Sequence, residues 1–231
     1  CANGVSQIVR VIINPRPKIF VEPTADTICF DEGITFNIST GNGPIQGNWV
    51  YDVAVTDGSD LDMIENESGD TDLSEGPYQQ DLVNIDTSVH WIEYTFTPKI
   101  INPSTFAAYC VNGLEQIVRV IVNPQPRVFV QPTADTICYD EGIIFNVSTG
   151  NGPIQGNWVY DVNVTGGSDL DMIENESGDT DLLAGLYQQD LVNIDTTVHW
   201  IEYTFTPKII NPSSSTAYCV KGLEQTVRVI V

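Results

Sequence analysis

Apolar and polar residues alternate along most of this chain, and the alternation has a period of two. A period of two puts every second side chain on one face of an extended strand, whereas a helix would need about 3.6. In the first half the pattern predicts strands at 18–21, 34–39, 48–55, 78–83, 90–97 and 116–122. It sets Trp49, Tyr51, Val53 and Val55 on one face of the third, and His90, Ile92, Tyr94 and Phe96 on one face of the fifth. The breaks carry turn chemistry: Gly41-Asn42-Gly43-Pro44, Asn102-Pro103 and Asn112-Gly113. No stretch predicts a helix.

The pattern then starts again. Residues 29–122 match residues 138–231 with 14 differences in 94 positions, at a constant offset of 109, and residues 14–28 align with 123–137. Residues 1–13 repeat 110–122 at nine of thirteen positions. The expected organisation is therefore the last strand of a preceding repeat at 1–13, one β-sandwich repeat at 14–122 and a second at 123–231. The chain reads as a window on a longer tandem array, which accounts for Cys1 better than the lipid-bearing first residue of a lipoprotein does. About seven short strands in a repeat, with a large Trp in the third, predict an all-β fold of tandem immunoglobulin-like antiparallel sandwiches. An open barrel is the alternative. About four residues join the repeats, and Pro124 and Pro126 stiffen that joint, so the sandwiches should lie end to end. Each would add on the order of 40 Å of reach.

Charge narrows the partners. Asp and Glu number 31 against 9 Lys and Arg, a net charge of −22, which repels nucleic acids and anionic membrane surfaces. At 42% hydrophobic residues the chain is too apolar for the disordered class, and no apolar run reaches the roughly 18 residues of a membrane-spanning helix. Neither nucleic-acid binding nor membrane insertion is expected.

Five cysteines stand at 1, 29, 110, 138 and 219, without the C-x-x-C spacing that zinc favours. Disulfides in an oxidising compartment are the better reading. Two pairings compete. Parity favours Cys29 with Cys110 and Cys138 with Cys219, each closing one repeat. Immunoglobulin topology favours Cys29 with Cys219, a staple between neighbours. Acid density peaks from Asp52 to Glu75 and recurs in the second copy. Asp60, Asp62, Asp70 and Asp72, with Asp169, Asp171, Asp179 and Asp181, could offer calcium its oxygen ligands, although the EF-hand spacing is absent. The plain alternative is a solvated loop that keeps a long rod soluble. His90 and His199 are equivalent and lack a nucleophile turn nearby, so no catalytic triad, and no enzyme activity, is expected. Tyr51, Tyr78, Trp91 and Phe106 could form a sugar-stacking platform, although Phe106 becomes Ser215 in the second copy.

Thr27-Ile28-Cys29 with Gly33, Trp49, Tyr94-Thr95-Phe96-Thr97-Pro98, Cys110 and the closing 118–126 segment, VRVIVNPQP, together carry a family resemblance. The chain resembles the PKD-like and immunoglobulin-like tandem repeats of very large adhesins on gliding and related bacteria. The Pro98 to Cys110 spacing is long for that family. The resemblance implies cell-surface display, export by the type IX route, and a role in adhesion or as the moving filament of gliding. Thr27 and Thr136, each in Asp-Thr-Ile, resemble the O-glycan acceptor of such bacteria, and Asn37, Asn66, Asn146, Asn163 and Asn175 match Asn-x-Ser/Thr. The expected function is a stiff structural or adhesive segment of an extracellular filament. Its expected partners are further copies of the repeat, surface glycans or substratum ligands, and laterally bundled filaments. The alternative from another class is a carbohydrate-binding array of a secreted protein.

Overall fold

Among the described residues, each half of the chain forms ten strands that close into two facing sheets. The computed structural model describes residues 7–59, 61–65, 67–139, 141–168, 172–174, 177–214 and 217–231. In the first half the strands are β1 (Ile19–Glu22), β2 (Ala25–Ile28), β3 (Asp31–Thr40), β4 (Asn48–Gly58), β5 (Ile64–Glu65), β6 (Asp70–Leu73), β7 (Gly76–Asn84), β8 (His90–Ile101), β9 (Ala108–Cys110) and β10 (Gln116–Val122). One sheet has the order β1-β3-β7-β5, and the other β2-β10-β8-β4-β6 with β9 beside β8. The chain changes sheets between β1 and β2 at the cis Glu22–Pro23 bond. There β2 runs parallel to β10, with Ile28 beside Val122; the other pairings are antiparallel. This is an immunoglobulin-like sandwich.

The second half repeats the arrangement as β11 (Val128–Gln131), β12 (Ala134–Thr136), β13 (Glu141–Thr149), β14 (Asn157–Gly167), β15 (Ile173–Glu174), β16 (Asp179–Leu182), β17 (Gly185–Asn193), β18 (Trp200–Ile210), β19 (Ala217–Cys219) and β20 (Gln225–Ile230).

Alternation builds the core as the sequence predicts. Tyr51 and Val53 are buried with Trp49 and Val55 packed against them, and His90, Ile92, Tyr94 and Phe96 are all buried. Phe36 from the opposite sheet meets Tyr94 and Phe96 edge-on, at ring separations of 5.3 and 5.2 Å. Each such side chain contributes about 1.5–3 kcal/mol by leaving water. The buried Gln80 is satisfied inside this core. Its Nε2 donates to the Tyr78 hydroxyl (2.8 Å) and its Oε1 accepts from the Ser68 amide (2.8 Å).

The predicted strands all form, but β2, β5, β6 and β9 are additional. They are two to four residues long, and β6 reads Asp-Thr-Asp-Leu with no buried residue, so alternation gives them no signal.

Candidate functional site

The two sandwiches meet at a seam whose parts come from distant stretches of sequence. Five residues, 123–127, separate Val122 at the end of β10 from Val128 at the start of β11. Asn123 is 0% exposed. Its amide donates to Ile28 O (2.9 Å), which extends the β2–β10 pairing by one residue out of the first sandwich. Its side chain turns to the second sandwich, donating to Gln155 O (3.0 Å) and accepting from the Gln155 amide (2.8 Å). One buried residue thus hydrogen-bonds both bodies. Pro124 and Pro126 beside it are buried as well.

A second set of bonds ties the β7–β8 turn to the turn before β14. The Gly152 amide donates to Thr87 O (2.9 Å), and the Val89 amide donates to Pro153 O (2.7 Å). Asn151 holds the linker itself: its Nδ2 donates to Gln125 O (2.8 Å) and its Oδ1 accepts from the Arg127 amide (2.8 Å). Behind this turn, Asn84 donates to Val122 O (2.8 Å) and to Ser88 O (2.9 Å), locking the turn to the end of β10.

The third tie is covalent. Cys29, just past β2, is disulfide-bonded to Cys219 at the end of β19, with Cα atoms 5.4 Å apart and 190 residues between them in sequence. This decides between the two pairings and corrects the one that parity favoured. Ile28 and Val122 are neighbours at the trailing end of the first sandwich, so Cys29 sits there. Cys110, through its pairing with Ile100, sits at the leading end of the same sandwich, next to β4's start, and cannot reach Cys29. Cys219 occupies the corresponding leading end of the second sandwich, directly across the seam. Cys110 and Cys138 are free thiols. The cavity beside the disulfide, lined by Phe30, Glu32, Tyr218 and Lys221 among others, holds only ≈ 100 Å³, below the ~300 Å³ of small-molecule sites.

The other predicted residues lie away from the seam or serve the fold. Asp60, Asp169 and Asp171 fall outside the described residues. Asp62 is exposed in the 3₁₀ turn Leu61–Met63. Asp70 accepts from the Thr71 amide (2.7 Å), and Asp72 pairs with Lys99 (2.8 Å), which also pairs with Asp52 (2.7 Å). Burial alone would lower the Lys99 pKa, but the hydrogen bonds its ammonium donates to the Asp52 and Asp72 carboxylates override it and hold it above the ordinary lysine value. The second copy matches: Asp179 accepts from Thr180, and Lys208 pairs with Asp161 and Asp181. Among the described residues, no three His, Cys, Asp or Glu side chains gather as a metal-ligand set.

Both ring nitrogens of His90 are engaged, Nε2 with Asp86 Oδ2 (2.9 Å) and Nδ1 with Ser59 O (3.1 Å), so the ring pins the β7–β8 turn. In the second copy, Asp195 has its pKa lowered to about 2 by hydrogen bonds from the Thr197 hydroxyl, the Thr196 amide and His199. Asp86 is lowered too, chiefly by its hydrogen bond with His90.

The four aromatics do not form one platform. Tyr51 and Tyr78 are core residues, Trp91 lies under the Arg119 guanidinium (4.0 Å to the ring centre), and only Phe106 is widely exposed. Alternation buries the first two. Of the glycan candidates, Asn37, Asn146, Asn163 and Thr136 are exposed and Thr27 is half-buried, while Asn66 and Asn175 fall outside the described residues. The seam residues Asn123, Asn151 and Thr87 were not singled out from sequence. The signal available was the recurrence of Asn-Pro-x-Pro and Gly-Asn-Gly-Pro in both copies, which reads as linker and turn until the two are seen in contact.

No protein-family model matches the chain, and no curated protein matches it. Solved structures with a similar arrangement include the Escherichia coli adhesin FdeC, at 10% identity and TM-score 0.36, covering 94% of this chain and 66% of that one. The D00-D0 domain of intimin gives 11% identity and TM-score 0.36, covering 91% and 98%. The fibronectin(III)-like modules of Clostridium thermocellum CbhA give 12% and 0.31, covering 93% and 94%. The chain thus spans just under two thirds of the FdeC structure. No helix among the described residues is long and apolar enough to cross a membrane.

Proposed function

We propose that this chain is a segment of an extracellular stalk, in which serial sandwiches supply length and stiffness to a bacterial surface adhesin or filament. The observation that carries the reading is the seam: a five-residue linker, a shared buried Asn123, a turn-to-turn hydrogen-bond set and a disulfide all cross it. A flexible tether needs none of these, and interfaces within a chain are otherwise free to hinge. The near-identity of the copies fits a part used in series. A disulfide requires an oxidising compartment, which supports a place outside the cytosol. The family resemblance extends the reading to export by the type IX route and to adhesion or gliding. Small-angle scattering of the 231-residue chain tests the stalk directly. Two sandwiches end to end give a radius of gyration on the order of 25 Å, whereas one compact body of this length gives about 17 Å. The smaller value would end the stalk reading.

A further inference from the structure

The free thiols Cys110 and Cys138 occupy the same places in their repeats as the bonded Cys219 and Cys29. Cys138 corresponds to Cys29, and Cys110 to Cys219, at the offset of 109. The surfaces around them also correspond. At the seam Phe30 and Val89 are half-buried, whereas their counterparts at the far end of the second sandwich, Tyr139 and Val198, are 72% and 76% exposed. At the leading end of the first sandwich, Tyr109 is exposed where Tyr218 is half-buried, and Pro15 is exposed where Pro124 is buried. Each free end therefore presents one half of the seam already formed in the middle, thiol included.

We propose that Cys110 and Cys138 are the halves of further staples, each bonding a flanking copy of this repeat. Cys138 would pair with the Cys219 counterpart of the next copy, and Cys110 with the Cys29 counterpart of the copy before. The inference rests on the serial-repeat reading above and adds a covalent ladder to it. Each staple forms when two thiols lose two protons and two electrons to a disulfide-donating oxidoreductase, or to glutathione disulfide in vitro.

The ladder changes what tension can do. Cys219 lies at the leading end of its sandwich and Cys138 at the trailing end, so both ends of a repeat are held twice, once by backbone and once by sulfur. A load path can run from a Cys110 position to the next Cys29 position, 28 residues as from Cys110 to Cys138, and then cross a staple that carries it into the repeat after. It thereby advances two repeats for 28 residues of backbone. Even with every sandwich unfolded, the array spans roughly 50 Å per repeat, close to its folded reach, against roughly 390 Å for 109 extended residues without staples. The residues between Cys29 and Cys110 never come under load. Unfolding, the usual way a tandem array lengthens under force, is thereby short-circuited.

Two measurements test this. In the first, the chain is extended in register by a further copy of residues 123–231 after Val231, oxidised with glutathione disulfide, and mapped by non-reduced peptide mass spectrometry. The expected result is a peptide joining Cys138 to the Cys219 counterpart of the added copy. Cys138 as a free thiol, or joined to Cys219 or Cys110, overturns the proposal. The second uses the 231-residue chain itself, pulled from its two ends. With Cys29–Cys219 intact, 28 residues lead to Cys29 and 12 follow Cys219, so extension stops at about 140 Å. Under reduction it reaches about 830 Å. Equal lengths in the two conditions overturn the bypass. Scattering judges the stalk separately: an elongated chain with Cys138 unpaired sinks the ladder and leaves the stalk standing.

Discussion

The leading end of the first sandwich and the leading end of the second are the same sequence block in different surroundings. Asn14 makes the same side-chain bonds to Gln46 (2.9 and 2.8 Å) that Asn123 makes to Gln155, but Asn14 is half-buried with an exposed Pro15 behind it, whereas Asn123 is wholly buried. Gly43 has open space where a side chain would stand, whereas a Cβ on the equivalent Gly152 would collide with the Ser88 hydroxyl of the neighbouring sandwich. Cys110 is half-exposed and free; Cys219 is 1% exposed and bonded. The local hydrogen bonding is thus intrinsic to the repeat. Burial, close approach and covalency come from the neighbour.

Substitutions at equivalent positions should separate these two contributions. The largest difference is expected between Cys29→Ser and Cys138→Ser. Loss of the staple should lower the unfolding free energy by about 2–5 kcal/mol, whereas the free thiol's replacement should change it by less than about 0.5 kcal/mol. Denaturant unfolding without reductant measures both, and equal effects would mean the bond does not form in solution. Next, Asn123→Ala removes the buried side chain that donates to Gln155 O and accepts from the Gln155 amide, leaves the backbone bond to Ile28 in place, and should cost about 1–3 kcal/mol. Asn14→Ala loses bonds that water can replace and should cost under about 1 kcal/mol. Gly152→Ala should cost about 1 kcal/mol through crowding against Ser88, while Gly43→Ala should fall within about 0.5 kcal/mol of neutral. A pair of identical values there would show that the turns do not touch.

The smallest effect concerns acid. Asp195 has its pKa depressed from 3.8 to about 2, so its favourable hydrogen bonding is fully present above pH 3.8 and is lost as the pH falls toward 2. Asp86 is depressed in the same direction. Carboxyl titration by NMR should find Asp195 ionised at pH 3, and Asp195→Asn should lower stability at pH 7 and flatten the profile between pH 4 and 2, so that the gap between variant and parent closes toward pH 2.

Much of the fold was legible because alternation is strong where one strand face meets a core. Tyr51, Val53, Ile92, Tyr94 and Phe96 all lie where a period of two puts them. The short strands β2, β6 and β9 were not legible: Ala-Asp-Thr-Ile and Asp-Thr-Asp-Leu gain their order from neighbouring backbones and not from side-chain burial, and the three residues of β9 are too few to alternate. The cysteine pairing misled for a different reason. Counting two per repeat assumes that a repeat closes on itself, but strand direction sends Cys29 to one end of the sandwich and Cys110 to the other. The aromatic platform failed because residue type alone does not distinguish a core Tyr51 from a solvent-facing Phe106.

The bridge from Cys29 to Cys219 also governs how the molecule survives damage. Phe106 is 73% exposed on a loop between β8 and β9, an accessible point for a protease. A cut there divides the backbone into fragments 1–106 and 107–231, yet each keeps one sulfur of the bond, so the two migrate as a single species until a reductant is added. A chain wired in this way can be cut in that loop without its two pieces coming apart.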